Sequence, residues 1–337
     1  MNLDLLEFKR QIAIKDGLRS STAGSYVQMI DRFFRDANKP TSAIRESDIV
    51  SYLSRCRINA FSQNSLRLSI TALKRFFKWY SFRNRFIDPT KEIKQIREKV
   101  VDPLLPSFEQ ISKVIYNIFN YYQKSSNEQS KFRFLRDAAL ILFLVDSGLR
   151  IGELIQVKLG DISIDKNNLR VNVRSSKNYM SRVIAFGKLS DGLLIGEVLS
   201  TWLIYRNTTL KSSRDYYLFP RSINDLEKPL TRATIYRKLN RYWKLAGYER
   251  KIGPHTLRHF YATFSFANGL DLEIIRQNLG HKWLSSTQRY IRLAEIMKAR
   301  SPNFSPGSVM KSSEIGLPDL QGFSNILLGM RSKINDT

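Results

Sequence analysis

Cysteine and long apolar runs are scarce in this 337-residue chain. A single cysteine, Cys56, excludes an intramolecular disulfide framework and a zinc site built on cysteine ligands. The longest unbroken apolar run, residues 138–145, is far shorter than the about 20 residues that a bilayer-spanning helix needs, so we expect no membrane partner. The first residues lack a basic segment followed by an apolar one, so we expect no secretory signal and a cytoplasmic location.

Acidic residues are also few: the chain has 30 Asp and Glu but 55 Lys and Arg, which gives a formal net charge of +25. Such an excess favours a polyanionic partner, nucleic acid before membrane, and with it association with the nucleoid. Apolar residues make up 42% of the chain, which excludes a wholly disordered protein. The length predicts two domains or three.

The positive charge is concentrated in two stretches that are nearly free of acids. Residues 51–87 contain no Asp or Glu, and residues 228–258 contain only Glu249. A solvated helix face normally carries both signs, so phosphate contact is the better interpretation. The residues predicted to contact DNA are Arg55, Arg57, Arg67, Lys74, Arg75, Lys78, Arg232, Arg237, Lys238 and Arg241.

Hydrophobic spacing divides the chain into a helical part and a mixed part. Apolar stripes of helical period predict a bundle of about four helices that begins near Thr22, with Ser47 as the N-cap of one of them. After a linker with two prolines, Ser107 is predicted to start a capping box, and a short helix is expected over residues 151–159. The alternating stretches then predict a three-stranded antiparallel meander, after which helices return: residues 162–164, 169–173 and 182–186.

The three histidines lie close together near the C-terminal third of the chain. His255 and His259 have the i,i+4 spacing of a zinc-binding helix, but Thr256 stands where such a motif needs glutamate, so no metal site is predicted. His255 and Arg258 share a helical face, and an imidazole beside an arginine fork suits a phosphate oxygen. His259 is interpreted as a packing residue or a phosphate contact.

Arg150 follows the glycine break at Gly148 and is predicted to stand at the start of a helix. A cation at this end of a helix is unfavourable unless an anion or carboxylate lies beside it. Glu153, one turn further on, is a candidate to orient the arginine.

Four motifs together resemble the tyrosine recombinase family, also called phage-type integrases, in a compact Xer-like form. They are Ser-Gly-Leu-Arg-x-x-Glu-Leu from Ser147, His-x-Leu-Arg-His from His255, Leu-Gly-His ending at His281, and the tyrosine Tyr290. They match the family in order and in spacing, and the resemblance extends over about residues 10–295.

The resemblance implies a mainly α fold with a small antiparallel sheet. A helical, SAM-like core-binding domain would occupy residues 1–97 and a linker residues 98–106. An α+β catalytic domain would follow over residues 107–300, and residues 301–337 would form a flexible tail. An apolar stripe in residues 319–331 could make that tail a helix that packs on another protomer.

The resemblance also implies a role for each matching residue. Tyr290 matches the nucleophile, and Arg150 and Arg258 match the arginines that hold the non-bridging phosphate oxygens. His255 matches the general acid–base histidine, and His281 matches a position held by His or Trp. The two remaining matches are the hairpin lysine taken as general acid and the acid that supports the first arginine: Lys177 and Glu153.

The expected reaction is site-specific cutting and rejoining of DNA through a 3′-phosphotyrosyl intermediate, with no cofactor. The expected partners are double-stranded DNA with inverted half-sites and further copies of the chain, as a dimer and a tetramer. Two alternatives stay open: a type IB topoisomerase-like enzyme that relaxes DNA, and a catalytically inactive DNA-binding regulator. The intact set of catalytic residues argues against the regulator.

Overall fold

The computed structural model describes residues 3–300 apart from 19, 97–101, 166–167, 175–180, 189–193, 209 and 211–212. The chain divides into two compact units between residues 101 and 102. The finer domain boundaries given above stay predictions, and the apolar stripe of residues 319–331 lies outside the described residues. None of the described helices is long and apolar enough to cross a membrane.

All regular secondary structure in the described part of the first unit is helical. They are α1 (Leu3–Ile14), α2 (Ser20–Ala37), α3 (Glu46–Ile58) and α4 (Gln63–Asn84). Their core is rich in aromatic rings that pack edge to face, as Phe76 does on Phe8 and on Phe77, with centroids 5.3 and 5.1 Å apart. Such pairs add to the free energy gained by burying the rings.

Two features of this unit differ from the sequence-based expectation. The bundle begins with α1, upstream of Thr22, and the apolar stripe of α1 is a weak signal because it is short and mixed with charged residues. The predicted N-cap at Ser47 is wrong, because Arg45 occupies that position and its backbone N–H donates to the Asp48 carboxylate at 2.9 Å.

The second unit begins with a helical layer: α5 (Phe108–Gln123), α6 (Glu128–Ser147) and α7 (Ile151–Leu154). The predicted capping box at Ser107 is confirmed, since its hydroxyl and backbone N–H are both bonded to Gln110 at 3.1 and 3.0 Å. Helix α6 is buried along most of its length and ends at Ser147. The Gly148 that follows has a φ of 59°, the left-handed conformation that glycine adopts without strain. Helix α7 is shorter than predicted and ends at Leu154.

The predicted antiparallel meander is confirmed as β1 (Ile162–Asp165), β2 (Asn168–Val173) and β3 (Arg182–Lys188), in the order β1-β2-β3. Its register pairs Ile162 with Val171 and Asn172 with Val183. Alternate residues of β2 and β3 face the core, so β3 has one buried face and one solvent-facing face.

The remaining described elements belong to the second unit. In chain order they are α8 (Leu194–Thr208), β4 (Pro220–Ser222), β5 (Asp225–Pro229), α9 (Arg232–Leu245), α10 (Pro254–Ala267), α11 (Leu272–Leu279) and α12 (Ser285–Arg300). The β4–β5 hairpin was not predicted, because its strands carry prolines and charges rather than β-branched residues.

A buried charged cluster ties α6 to α9. The Asp137 carboxylate is fully buried and accepts from Arg136 at 2.8 Å, from Lys238 Nζ at 2.6 Å and from Tyr242 Oη at 2.6 Å. Burial raises the pKa of Asp137, but the charges of Arg136 and Lys238 outweigh burial and keep its pKa below the ordinary value.

Candidate active site

Three chain segments meet where α6 ends: the turn into α7, the first turns of α10, and the C-terminus of α11. Pro254 at the first position of α10 and the left-handed Gly280 after α11 set the two helix ends. Four of the predicted catalytic residues stand at or near these helix ends: Arg150, His255, Arg258 and His281. The fifth, Tyr290, lies on α12, and the supporting acid Glu153 lies on α7. Lys177 lies outside the described residues.

Glu153 holds two arginines in place. Its carboxylate accepts from the backbone N–H and Nη1 of Arg150 at 3.0 and 3.1 Å, and from Nη1 and Nη2 of Arg182 at 3.2 and 2.8 Å. Burial raises the pKa of Glu153, but the hydrogen bonds and charge of Arg182, with those of Arg150, outweigh burial and lower it. The acid therefore stays ionised and neutralises a cation at the start of α7.

Arg150 and Arg258 lie side by side because they bond to consecutive carbonyl groups. Arg150 Nη2 donates to the carbonyl of Gly280 at 3.1 Å, and Arg258 Nη2 donates to that of Leu279 at 2.7 Å. Arg258 Nη1 donates to the Gly148 carbonyl at 2.6 Å. Burial, together with the charge of Arg150, lowers the pKa of Arg258 to about 10, so two charged guanidinium groups share a small volume at neutral pH. Such a pair is suited to bind an anion.

Tyr290 is only 2% exposed, and its hydroxyl lies 3.1 Å from Nδ1 of His259. The His281 ring stacks on the tyrosine ring, with centroids 6.4 Å apart and planes 12° apart. Burial raises the pKa of Tyr290, while the charges of Arg258, Arg289 and Arg150 act in the opposite direction. Those charges place the phenol within the electrostatic field of the arginine pair.

The three histidines have different surroundings. His255 is exposed, and burial of part of its ring together with the charges of Arg258 and Arg150 lowers its pKa. His281 Nδ1 lies 3.0 Å from the buried Thr287 hydroxyl. Burial, followed by nearby positive charges, lowers the pKa of both His259 and His281 to about 4, so both rings are neutral at pH 7.

Two residues at this site were not predicted from the sequence. Arg182 stands at the start of β3, and its Nε donates to the Asn278 carbonyl at 2.8 Å in addition to its contact with Glu153. No local pattern marks it, because its partners are distant in sequence. His259 is predicted as a packing residue or a phosphate contact and not as a neighbour of Tyr290, although its i,i+4 spacing from His255 places it near the other site residues.

Six predicted DNA-contacting residues of the first unit lie on α3 and α4: Arg55, Arg57, Arg67, Lys74, Arg75 and Lys78. Arg67 and Lys74 are half-buried, and the other four are exposed. Arg55 forms an ion pair with Asp36, and Arg75 lies 3.2 Å from Asp16. Exposed pairs of this kind are weak and leave the guanidinium groups able to reach phosphate.

The predicted DNA-contacting residues of the second unit lie on α9 and have unlike environments. Arg237 and Arg241 are exposed. Arg232 is exposed as well, and its guanidinium lies over Gly152, where an added Cβ would come within 2.7 Å of Nη2. Lys238 is 18% exposed and bound to Asp137, so its ammonium has an internal partner. Their DNA contacts stay predictions.

The described residues contain no group of three or more His, Cys, Asp or Glu side chains that could hold a metal ion. The arrangement instead brings together a phenol, two imidazoles and an arginine pair. These are the components of a site that attacks a phosphodiester with an oxygen nucleophile and stabilises the charge that develops on its oxygens.

Comparison with known families gives two matches. Residues 113–296 match the phage integrase family, and residues 5–83 match the phage integrase N-terminal SAM-like domain. The tyrosine recombinase XerA of Pyrococcus horikoshii is 28% identical over 295 residues, which cover 87% of this chain and 90% of that protein.

Two solved structures show the same fold. The XerH site-specific recombinase bound to a palindromic difH substrate has a TM-score of 0.62 at 22% identity, covering 84% of this chain and 79% of that one. A lambda integrase tetramer bound to a Holliday junction has a TM-score of 0.64 at 19% identity, covering 85% and 76%. The predicted fold class, mainly α with a small antiparallel sheet, is confirmed. The chain belongs to the phage integrase family and is a site-specific tyrosine recombinase, an enzyme that cuts and rejoins DNA.

Proposed function

We propose that this recombinase exchanges strands between two copies of a DNA site made of two inverted half-sites, with Tyr290 as the nucleophile. The observation that carries the proposal is the buried Tyr290 phenol, whose hydroxyl lies 3.1 Å from His259 Nδ1 and which feels the positive charges of Arg258 and Arg150. Tyrosine has an ordinary pKa of about 10 and needs both a proton acceptor and nearby positive charge to attack.

The reaction exchanges one phosphodiester for another. The Tyr290 oxygen attacks the scissile phosphorus, the bond from phosphorus to the 5′-oxygen breaks, and the 3′ end stays linked to the tyrosine. A 5′-hydroxyl then attacks this linkage and releases the enzyme. Because a phosphoester is retained at every stage, rejoining needs no ATP.

Arg150 and Arg258 bind the non-bridging oxygens and stabilise the charge that builds on them. Removing one preorganised donor of this kind typically lowers the rate by about 10²–10³. His255, exposed beside Arg258, is assigned general acid–base duty at the phosphate, and His281 supports the phenol by ring stacking.

Gly280→Ala is expected to lower the DNA cleavage rate, by less than the about 10²-fold that misplacing a catalytic group by about 1 Å typically costs. A Cβ at this position would lie 3.0 Å from Arg182 Nη1 and 3.3 Å from Arg150 Nη1, so both guanidinium groups must move. Single-turnover cleavage of a nicked substrate measures the effect. Gly269→Ala is the matched control, since its φ of 87° is also positive but nothing lies within 4 Å of the added Cβ. Equal rates for the two variants would contradict the arginine placement.

Lys177→Ala is expected to cleave ordinary DNA slowly and a substrate with sulfur at the 5′-bridging position at nearly the rate of the unaltered enzyme. A thiolate leaves without a proton, so a missing general acid matters little with that substrate. Cleavage rates for both substrates, measured at saturating DNA, provide the comparison. If the variant binds DNA but cleaves the sulfur substrate no faster than ordinary DNA, Lys177 is not the general acid.

Binding of DNA by both units is supported by the exposed cations of α3, α4 and α9. Each protomer would occupy one half-site, two protomers one site, and two such dimers a synapse. The tetramer of the related lambda integrase on a Holliday junction supports this assembly. Neutralising phosphates releases counterions, so binding is expected to weaken steeply with salt.

A plasmid assay tests the proposed function. The substrate carries two direct repeats of an inverted-repeat site taken from the DNA beside the gene, and the control plasmid lacks that site. The proposal expects excised circles and a Holliday junction intermediate from the first plasmid and no change in the second. Relaxation of both plasmids without excision would instead favour a topoisomerase-like activity.

A further inference from the structure

The strongest unassigned feature of the site is the contact between His259 and Tyr290. His259 stands one turn after His255 on α10, and its Nδ1 lies 3.1 Å from the Tyr290 hydroxyl. The two rings have centroids 5.7 Å apart and planes 49° apart, which brings the edge of the imidazole to the phenol. Since Tyr290 is 2% exposed, bulk water has little access to this hydroxyl.

The other two histidines are less suited to take the proton of the phenol. His281 faces the tyrosine ring in a stack, and its Nδ1 is engaged with the Thr287 hydroxyl. His255 is exposed, and its ring centroid is 6.5 Å from that of His259. Among the described residues, the hydrogen bond to His259 is the one that the structure gives to the Tyr290 hydroxyl.

His259 is in the neutral state that can accept a proton, and its surroundings make it a weaker base than a free imidazole. Burial is the largest cause that lowers its pKa to about 4, followed by the positive charges of Arg289 on α12 and of His255 and Arg258 on α10. The ring is therefore neutral at pH 7 and has one nitrogen free to accept. The acceptor role requires the tautomer in which Nε2 carries the hydrogen and Nδ1 accepts from the phenol, and the 3.1 Å contact is compatible with it.

We propose that His259 is the proton acceptor for the Tyr290 nucleophile, while His255 serves the phosphate oxygens. This inference rests on the proposed function of Tyr290. During cleavage the Oη–H bond of Tyr290 breaks, its proton passes to His259 Nδ1, the Oη–phosphorus bond forms, and the bond from phosphorus to the 5′-oxygen breaks. The departing 5′-oxygen takes its proton from the general acid.

Rejoining reverses each step. The 5′-hydroxyl attacks phosphorus and gives up its proton to the former general acid. The Oη–phosphorus bond breaks, and the His259 imidazolium returns its proton to Tyr290. The enzyme ends the cycle in its starting protonation state.

The test measures single-turnover cleavage of a nicked substrate that traps the covalent adduct. His259→Ala is expected to be slower by about 10²-fold, within the usual contribution of a general base. His259→Asn places an oxygen near the position of Nδ1 but cannot hold a proton, so it is expected to be as slow as the alanine variant. Added imidazole is expected to accelerate His259→Ala and to leave His259→Asn unchanged.

Two further substrates and variants separate the roles at the site. Sulfur at the 5′-bridging position should not rescue His259→Ala, because it removes the need for the general acid and not for the base. Thr256→Ala, on the same helix, is the control for helix damage. Cleavage at the unaltered rate by His259→Asn would show that the hydrogen bond alone matters and would overturn the proposal, as would unaltered cleavage by His259→Ala.

Nitrogen-15 NMR of the imidazoles gives a readout on the unaltered full chain, whose three histidines make a simple spectrum. His259 is expected to be neutral with an unprotonated Nδ1 at pH 7 and to titrate with a pKa of about 4. A protonated Nδ1 at pH 7 would overturn the proposal. If the unaltered enzyme forms no adduct on Tyr290, the proposed function fails; if it does and the His259 variants cleave normally, only this inference fails.

Discussion

Tyr290→Phe is expected to abolish the covalent protein–DNA adduct while leaving site-specific DNA binding nearly unchanged. The substitution removes only the phenolic oxygen, which lies 3.1 Å from His259 Nδ1 inside the pocket, and keeps the ring that stacks on His281. The arginine pair and the helices proposed to contact DNA stay in place, so affinity depends on groups that the substitution does not touch. Binding is measured by gel shift, and the adduct by its resistance to SDS.

Tyr261→Phe is the matched control for this experiment. Tyr261 packs in the same small core cluster as Tyr290, and its hydroxyl accepts a hydrogen bond from Asn278 Nδ2 at 2.8 Å. Losing that hydrogen bond lowers stability by about 1 kcal/mol but leaves the proposed nucleophile intact, so the control should still form the adduct. SDS-resistant complexes from Tyr290→Phe would show that another residue attacks the DNA.

Asp137→Ala is expected to reduce the free energy of unfolding of the second unit by about 3–5 kcal/mol, the usual cost of leaving buried charges without their partner. The carboxylate is fully buried, and its removal leaves Arg136 and Lys238 facing each other. Tyr242 also loses its acceptor. Urea unfolding of the full chain, followed by a probe in the second unit, measures the change.

Asp215→Ala provides the comparison for that measurement. Its carboxylate is 92% exposed and lies 4.0 Å from Lys158 Nζ, so its removal should change stability by less than about 1 kcal/mol. Equal effects from the two substitutions would mean that the Asp137 cluster contributes no more to stability than a surface ion pair. Because Lys238 belongs to this cluster, its proposed contact with DNA competes with an internal ion pair.

Local patterns accounted for much of the fold. Helix α6, the Ser107 capping box and the three strands follow from apolar spacing, a capping motif and alternation, which act over a few residues. Helix α1 carries the same kind of signal in Leu5, Phe8 and Ile12, but the stripe is short and mixed with charges. The β4–β5 hairpin has almost no strand signal, because most of its strand residues are charged or proline.

Sequence motifs predict the residues of the candidate active site, but they do not reveal the pairs of residues, distant in sequence, that hold those residues in place. Arg150, Arg258 and Tyr290 belong to recognisable motifs. Arg182 holds the site together through hydrogen bonds to Glu153 and Asn278, which are distant in sequence. In the core, Asp137 likewise depends on Lys238, which lies on α9. Such contacts are fixed by tertiary packing, so no periodicity along the chain reports them.

Mapping the covalent adduct tests the central claim most directly. The unaltered enzyme is mixed with a nicked DNA site that prevents rejoining, the trapped complex is digested with protease and nuclease, and the modified peptide is sequenced by mass spectrometry. The account predicts a nucleotide attached through its 3′-phosphate to Tyr290 and to no other tyrosine. A nucleotide on a different residue, or one attached through a 5′-phosphate, would contradict it.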